Sequence, residues 1–190
     1  MTSTILRFFV IFLSIVPSGF CAVFVPDLDD LLRADLIARV TIVSLNDDNS
    51  EPEYTKLAHA TVTDAAKGAK VGDSLDLLSF PTVIACGVFI NYKVGDDCIV
   101  VACRRPSGRF ETVHAEGGRI LITGGKMDKL PFSQTSLFKG SAETAARELS
   151  LTNFRNKTPA ELMGDLRRFL SAVEQERRVK ETKQWWQFWR

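Results

Sequence analysis

The chain has 190 residues, of which 45% are hydrophobic and 25% are charged, so it can bury the core of one domain and carry an appendage. Its formal net charge is +1, which falls to 0 if the first residues with Arg7 are removed. A neutral domain excludes an electrostatic argument for nucleic acid, and we expect no nucleic-acid partner. The charge is uneven, because residues 155–190 hold nine Lys or Arg against five Asp or Glu.

The first 21 residues have the arrangement of a secretory signal peptide. Arg7 precedes a short apolar run at residues 8–16, and the Pro-Ser-Gly run at residues 17–19 interrupts the helix as a cleavage region does. We expect cleavage between residues 19 and 22, and a location that is secreted, extracellular or periplasmic. Two alternatives stay open: the segment remains as an uncleaved anchor, or Cys21 is lipidated.

Residues 22–125 contain many short stretches with the alternation of a β-strand. The stretch at 36–45 shows it most clearly, with one face formed by Leu36, Ala38, Val40 and Ile42 and the other by Arg39 and Thr41. Further strands are predicted at 54–66, 74–80, 82–90, 98–103, 109–115 and 119–123, separated by polar turns at 46–53, 67–73 and 93–97. Many short strands at close spacing predict a mainly β domain, either a barrel or a sandwich.

The last third of the chain is predicted to end in a helix. Residues 126–157 are interpreted as a loop with a short helix at 141–149. Thr158 and Glu161 form a capping box around Pro159 and predict an amphipathic helix over 158–183. Its apolar stripe consists of Leu162, Leu166, Phe169, Leu170 and Val173. The chain finishes in an aromatic tail at 184–190.

Four short motifs in the first half of the chain resemble those of a known family. Behind a leading Cys21 they are Ala34-Asp35-Leu36-Ile37-Ala38-Arg39-Val40, Ala66-Lys67-Gly68, Ala85-Cys86-Gly87-Val88 and Val94-Gly95-Asp96-Asp97. In these motifs the segment 21–115 resembles the netrin-like domain of the tissue inhibitors of metalloproteinases. The resemblance implies a mainly β fold, a small OB-type (netrin-like) β-barrel with a C-terminal α-helical extension.

The resemblance also implies a way of binding. In the family's inhibitors the free amine and carbonyl of the leading cysteine chelate the catalytic zinc of the target, and the next side chain enters its specificity pocket. Carried over, these roles fall to Cys21 and Ala22, and Cys21 would form a disulfide with Cys86. The partner would be a secreted or envelope metalloprotease or another protein. The family's Cys-x-Cys start is incomplete here, because Val23 stands in place of the second cysteine.

The other cysteines and both histidines indicate structural roles. Cys98 and Cys103 lie on one predicted strand, face opposite sides and stand roughly 16 Å apart, so we expect them to be unpaired, buried small hydrophobic residues. His59 and His114 lie on separate predicted strands, which favours structural roles over a metal site. The chain has no nucleophile elbow, phosphate-binding loop or zinc-hydrolase motif, so we expect neither an enzyme nor a cofactor.

The aromatic tail holds every tryptophan of the chain, at Trp185, Trp186 and Trp189, together with Phe188. Indole rings favour the membrane–water interface, where nearby lysines and the terminal arginine would meet anionic headgroups. The tail is therefore predicted to contact a membrane or a partner, unless it folds back onto the barrel.

Two functional hypotheses follow from the sequence. The first is an exported, non-enzymatic binding or inhibitory module, in its sharpest form a metalloprotease-inhibitor-like protein. The alternative is an envelope-associated structural or scaffold protein, in which the barrel is a platform and the C-terminal helix and tail make the contact.

Overall fold

The computed structural model describes residues 26–51, 54–79, 91–128, 140–149 and 157–188. Its strands are β1 (Leu36–Glu51), β2 (Tyr54–Lys67), β3 (Ser74–Ser79), β4 (Asp97–Arg104), β5 (Phe110–Thr112), β6 (Arg119–Thr123) and β7 (Lys126–Met127). Its helices are α1 (Leu28–Arg33), α2 (Gly140–Glu148) and α3 (Pro159–Phe188), and a short 3-10 helix covers Ala115–Gly118.

Five strands close into a barrel. β1 pairs antiparallel with β2 on one side and with β4 on the other. β2 also pairs antiparallel with β3, and β4 pairs antiparallel with β5. A parallel pairing of β3 and β5, at Leu77 and Phe110, completes the ring. The order β1-β2-β3-β5-β4, closed by β1 against β4, is OB-like. The predicted mainly β barrel with a C-terminal helical extension is confirmed.

The barrel interior is filled by alternate residues of its strands. Leu36, Ala38, Val40 and Ile42 of β1 are all buried there, as the period-2 pattern predicts. They pack against Val62 of β2, Leu77 of β3, Val100 of β4 and Phe110 of β5. The interior is therefore a packed apolar core.

A second core lies on the outer face of β1 and β4. Ile37 of β1 and Ile99 and Val101 of β4 are also buried, although they point away from the barrel interior. The three helices cover them with Leu28 and Leu31 of α1, Ala145 and Ala146 of α2, and Leu162, Met163, Leu166 and Phe169 of α3. The centre of β4 and the start of β1 are thus buried on both faces, and the helices are an integral part of the domain.

Three sequence predictions need correction. The polar turn predicted at 46–53 is wrong for 46–51, because β1 continues there in a ladder with β2 that pairs Asn46 with Leu57 and Glu51 with Tyr54. The strand predicted at 109–115 ends at Thr112, since a turn with His114 in the left-handed region (φ 52°) leads into the 3-10 helix. His114 is therefore not on a strand.

A fourth prediction also needs correction, others are confirmed, and one lies outside the described residues. The loop predicted from 126 begins instead with the short strand β7, which pairs with β6. The helix predicted at 141–149 is present as α2. Helix α3 continues to Phe188, so the first part of the aromatic tail is helical. The strand predicted at 82–90 lies outside the described residues.

The start of α3 follows the predicted capping chemistry. The Thr158 backbone N–H donates to the Glu161 carboxylate at 2.6 Å, and the Glu161 N–H donates to the Thr158 hydroxyl at 3.3 Å. Helix α3 has 30 residues, which corresponds to roughly 45 Å. No helix among the described residues combines the length and the apolar composition that a membrane span requires.

Helix α3 packs on this second core, called the outer core below. Two alanine substitutions in α3 should therefore differ strongly in their effect on stability. Phe169 is fully buried, so Phe169→Ala should lower the free energy of unfolding by about 3–5 kcal/mol. Val179 is exposed, so Val179→Ala should change it by less than about 0.5 kcal/mol. Urea denaturation measures both, and equal effects would mean that α3 does not belong to the core.

Candidate functional site

Helix α1 is fixed to the barrel at a junction formed by Asp35, before β1, and by Lys67 and Gly68, at the end of β2. The Lys67 Nζ donates to the Leu32 carbonyl at 2.8 Å, in the last turn of α1. The Asp35 carboxylate accepts the backbone N–H of Arg104 at 2.8 Å. The junction therefore ties α1, β1, β2 and β4 together where the chain enters the barrel.

Gly68 is the tightest point of the junction. Its φ is +78°, and a Cβ at this position would lie 1.9 Å from the Asp35 carbonyl oxygen. Only glycine allows the two backbones to approach this closely. Asp35 and Gly68 belong to the sequence motifs at 34–40 and 66–68, and this contact is a physical reason for the glycine in the second motif.

Polar side chains also fix α1 at its N-terminal end. Asp27 and Asp30 form a reciprocal capping box at its start, and the Asp30 carboxylate lies 2.9 Å from the His114 Nε2. Burial alone would raise the pKa of Asp30, but hydrogen bonds from Asp27 and His114 together with the nearby imidazole lower it below its usual value. Asp30 is therefore held in its charged form, and α1 has a fixed position on the barrel.

The residues predicted to make and to support the inhibitory contact are not among the described residues. Cys21, Ala22 and Cys86 lie outside the described residues, so the predicted chelating terminus and the Cys21–Cys86 disulfide stay predictions. Cys98 and Cys103 form no disulfide. Cys98 is buried in the barrel core as expected, but the expectation that Cys103 is buried is wrong, because it lies on the outward-facing side of β4 and is exposed.

His59 is the centre of a polar row across three strands. Its Nδ1 lies 2.6 Å from an Asp76 carboxylate oxygen on β3, and its Nε2 lies 2.9 Å from the Asn46 amide nitrogen on β1. Both ring nitrogens are engaged, so the imidazole has a fixed orientation across the three strands. In the described ranges, no three His, Cys, Asp or Glu side chains form a group suited to a metal ion.

Helix α2 is attached to α3 at both ends. The Glu176 carboxylate accepts the Ala142 N–H at 2.7 Å and the Ser141 hydroxyl at 2.9 Å at the start of α2. These hydrogen bonds and the charge of Lys180 lower the pKa of Glu176. At the other end of α2, Arg168 donates to the Glu148 carboxylate at 2.8 Å. Glu176 is thus the point where α3 leaves the body of the protein.

Beyond Glu176, helix α3 forms a distal arm, residues 177–188. Every residue from 177 to 185 is exposed, and the Trp185 side chain is 68% exposed. Trp185 therefore does not fold back onto the barrel. Trp186 and Phe188 are part of the same helix, and Trp189 lies outside the described residues.

The arm begins with a cluster of ion pairs that spans its first turns. The Glu174 carboxylate accepts from Arg177 at 3.0 Å and from Arg178 at 2.9 Å, and Arg177 also donates to Glu181 at 2.9 Å. Hydrogen bonds from Arg177 and Arg178 lower the pKa of Glu174 to about 2. These i, i+3 and i, i+4 pairs support a helix that has no core to pack against.

Comparison with protein-family models, with curated proteins and with solved structures finds no match for this chain. Sequence reasoning did not identify Glu176, because a glutamate in a charge-rich stretch gives no sign that it caps another helix. Its position one turn after the apolar stripe ends at Val173 is the only signal available.

The junction predicts a contrast between two glycines with similar backbone angles. Gly72 has a φ of +91° but open space around its Cβ position, so Gly72→Ala should cost about 1–2 kcal/mol of unfolding free energy from backbone strain alone. Gly68→Ala adds the overlap with Asp35 and should cost about 3–5 kcal/mol. Chemical denaturation of both variants measures the difference, and equal losses would show that the close approach is not a constraint.

Proposed function

We propose that this protein is an exported, non-enzymatic binding module in which the barrel is a rigid platform and the distal arm makes the contact. The observation that carries this proposal is the exposed Trp185 on a helix whose first half is buried in the core. A large aromatic side chain in solvent is unfavourable unless a partner covers it, and such side chains are enriched at contact surfaces. The signal-peptide pattern supports export to a secreted, extracellular or periplasmic location.

The division of α3 into two halves suits this role. Phe169 and Leu166 hold the first half in the outer core, and Glu176 fixes the point of exit. The arm is roughly 18 Å long, since it has 12 helical residues. A rigid helix of this length presents Trp185 at a defined distance from the barrel, which a flexible tail would not do.

Photo-crosslinking in the producing cells tests this proposal. A photo-reactive amino acid in place of Trp185 should give a defined adduct, whereas the same amino acid in place of Val71 should give none. Val71 is a matched control, because it is 69% exposed and lies in a turn of the barrel. Adducts at position 71 with none at 185 would contradict the proposal, because the barrel would then be the contact surface.

A second candidate function is metalloprotease inhibition through Cys21 and Ala22. The resemblance to the netrin-like domain supports it, and so does the start of helix α1, because Asp27, Asp30 and His114 fix the chain a few residues after the predicted inhibitory segment. A zinc-chelating terminus gains affinity when its support is rigid, since less entropy is lost on binding. The target would be a secreted or envelope metalloprotease.

Inhibition depends on a free amine at Cys21, which gives a sharp test. Protein that begins at Cys21 should inhibit zinc proteases, and the same protein with one alanine added before Cys21 should not, because the amine is displaced from the metal. N-terminal sequencing of the exported protein reports which terminus the cell produces. A natural terminus beyond Cys21, or no inhibition by the Cys21 form, would contradict this candidate.

A further inference from the structure

We infer that the distal arm binds a membrane surface that carries anionic lipids. This inference rests on the proposed function, since it names the chemistry of the partner that the arm contacts. It depends on how apolar and charged residues are distributed around and along the arm.

One face of the arm carries its two exposed apolar side chains, and this face is turned away from the core. Val179, Thr182 and Trp185 recur at three-residue intervals and so lie along one side of α3. Val179 and Trp185 are 48% and 68% exposed. With a rotation of about 100° per residue, Thr182 at the centre of this face lies about half a turn around the helix from Leu166 and Phe169. A flat surface can therefore approach the arm from the side opposite the outer-core contact.

The charge of the arm becomes positive towards its end. Arg177 and Arg178 are paired with acidic side chains of the same helix. Lys180 and Lys183 are exposed; Lys180 faces Glu176, whereas Lys183 lies outside these pairs. After Glu181 the sequence contains basic residues and no acidic residue. The end of the arm therefore joins aromatic residues to a net positive charge.

A lipid interface fits this combination better than a groove on a protein. Tryptophan prefers the headgroup region, and basic side chains near the surface are attracted by anionic lipids. A helix with an apolar face and basic flanks is the usual form of a peripheral membrane anchor. A helix that docks in a protein groove relies on a continuous apolar stripe, whereas Val179 and Trp185 are separated by Thr182 and accompanied by basic residues.

Intrinsic fluorescence tests the inference directly, because all three tryptophans of the chain lie at 185–189 and report on this end of α3 alone. Titration of the purified protein with phosphatidylcholine vesicles that contain phosphatidylglycerol should shift the tryptophan emission to shorter wavelength. Pure phosphatidylcholine vesicles should give a much smaller shift, and salt should reverse the anionic binding.

Paired lysine variants show whether the charge of the arm is responsible. The double variant Lys180→Gln and Lys183→Gln should weaken partitioning onto the anionic vesicles about 30-fold. The double variant Lys70→Gln and Lys93→Gln removes the same charge from exposed turns of the barrel and should leave partitioning unchanged. Equal weakening by the two double variants would overturn the inference, because the attraction would then come from the whole protein.

The vesicle experiment tests the lipid inference and the crosslinking experiment tests the proposed function, so failure of one can be distinguished from failure of the other. If anionic vesicles give no emission shift while position 185 crosslinks to a protein, the lipid assignment is overturned and the arm remains the contact element. If vesicles give no shift and position 185 gives no adduct, both the inference and the proposed function are overturned. A shift with anionic vesicles and lipid adducts at position 185 supports both.

Discussion

The burial of both faces of β4 and of the start of β1 is the constraint on which the rest of the structure depends. Val40 and its alternate neighbours fill the barrel, while Ile37, Ile99 and Val101 need a cover on the outer face. Because burial of apolar surface is the main stabilising contribution to folding, the barrel is incomplete without helices over these strands. Helix α3 is therefore part of the core up to Val173. The arm is the part of α3 that is not needed to cover the outer face of the barrel.

The same constraint explains the junction at the entry to the barrel. If α1 is to cover the outer face, the chain must turn sharply between Leu31, which is buried in the outer core, and Leu36, which is buried in the barrel. Gly68 makes that turn possible, because it lets the β2 backbone pass directly against Asp35. The motifs at 34–40 and 66–68 thus meet at one close packing contact, between Asp35 and Gly68.

The fold follows from the sequence where local patterns agree with tertiary structure. The alternation at 36–42 and the Thr158 capping box each specify their element locally, so both predictions succeed. The extension of β1 to Glu51 could not be predicted, because its polar residues form a strand only when β2 lies alongside. Burial of Ile37 outside the barrel is equally non-local, since it depends on α3, more than 120 residues later. Trp185 was identified from composition, but its exposure depends on where Glu176 ends the packing.

Hydrogen exchange along α3 tests the central claim, that one helix is half core and half contact element. The account predicts that amides between Leu162 and Val173 exchange at the rate of global unfolding, whereas amides of the arm exchange quickly in the isolated protein. Anionic vesicles should then protect the arm and leave the first half unchanged. Protection of the arm equal to that of the first half in the isolated protein, without any partner, would contradict the account.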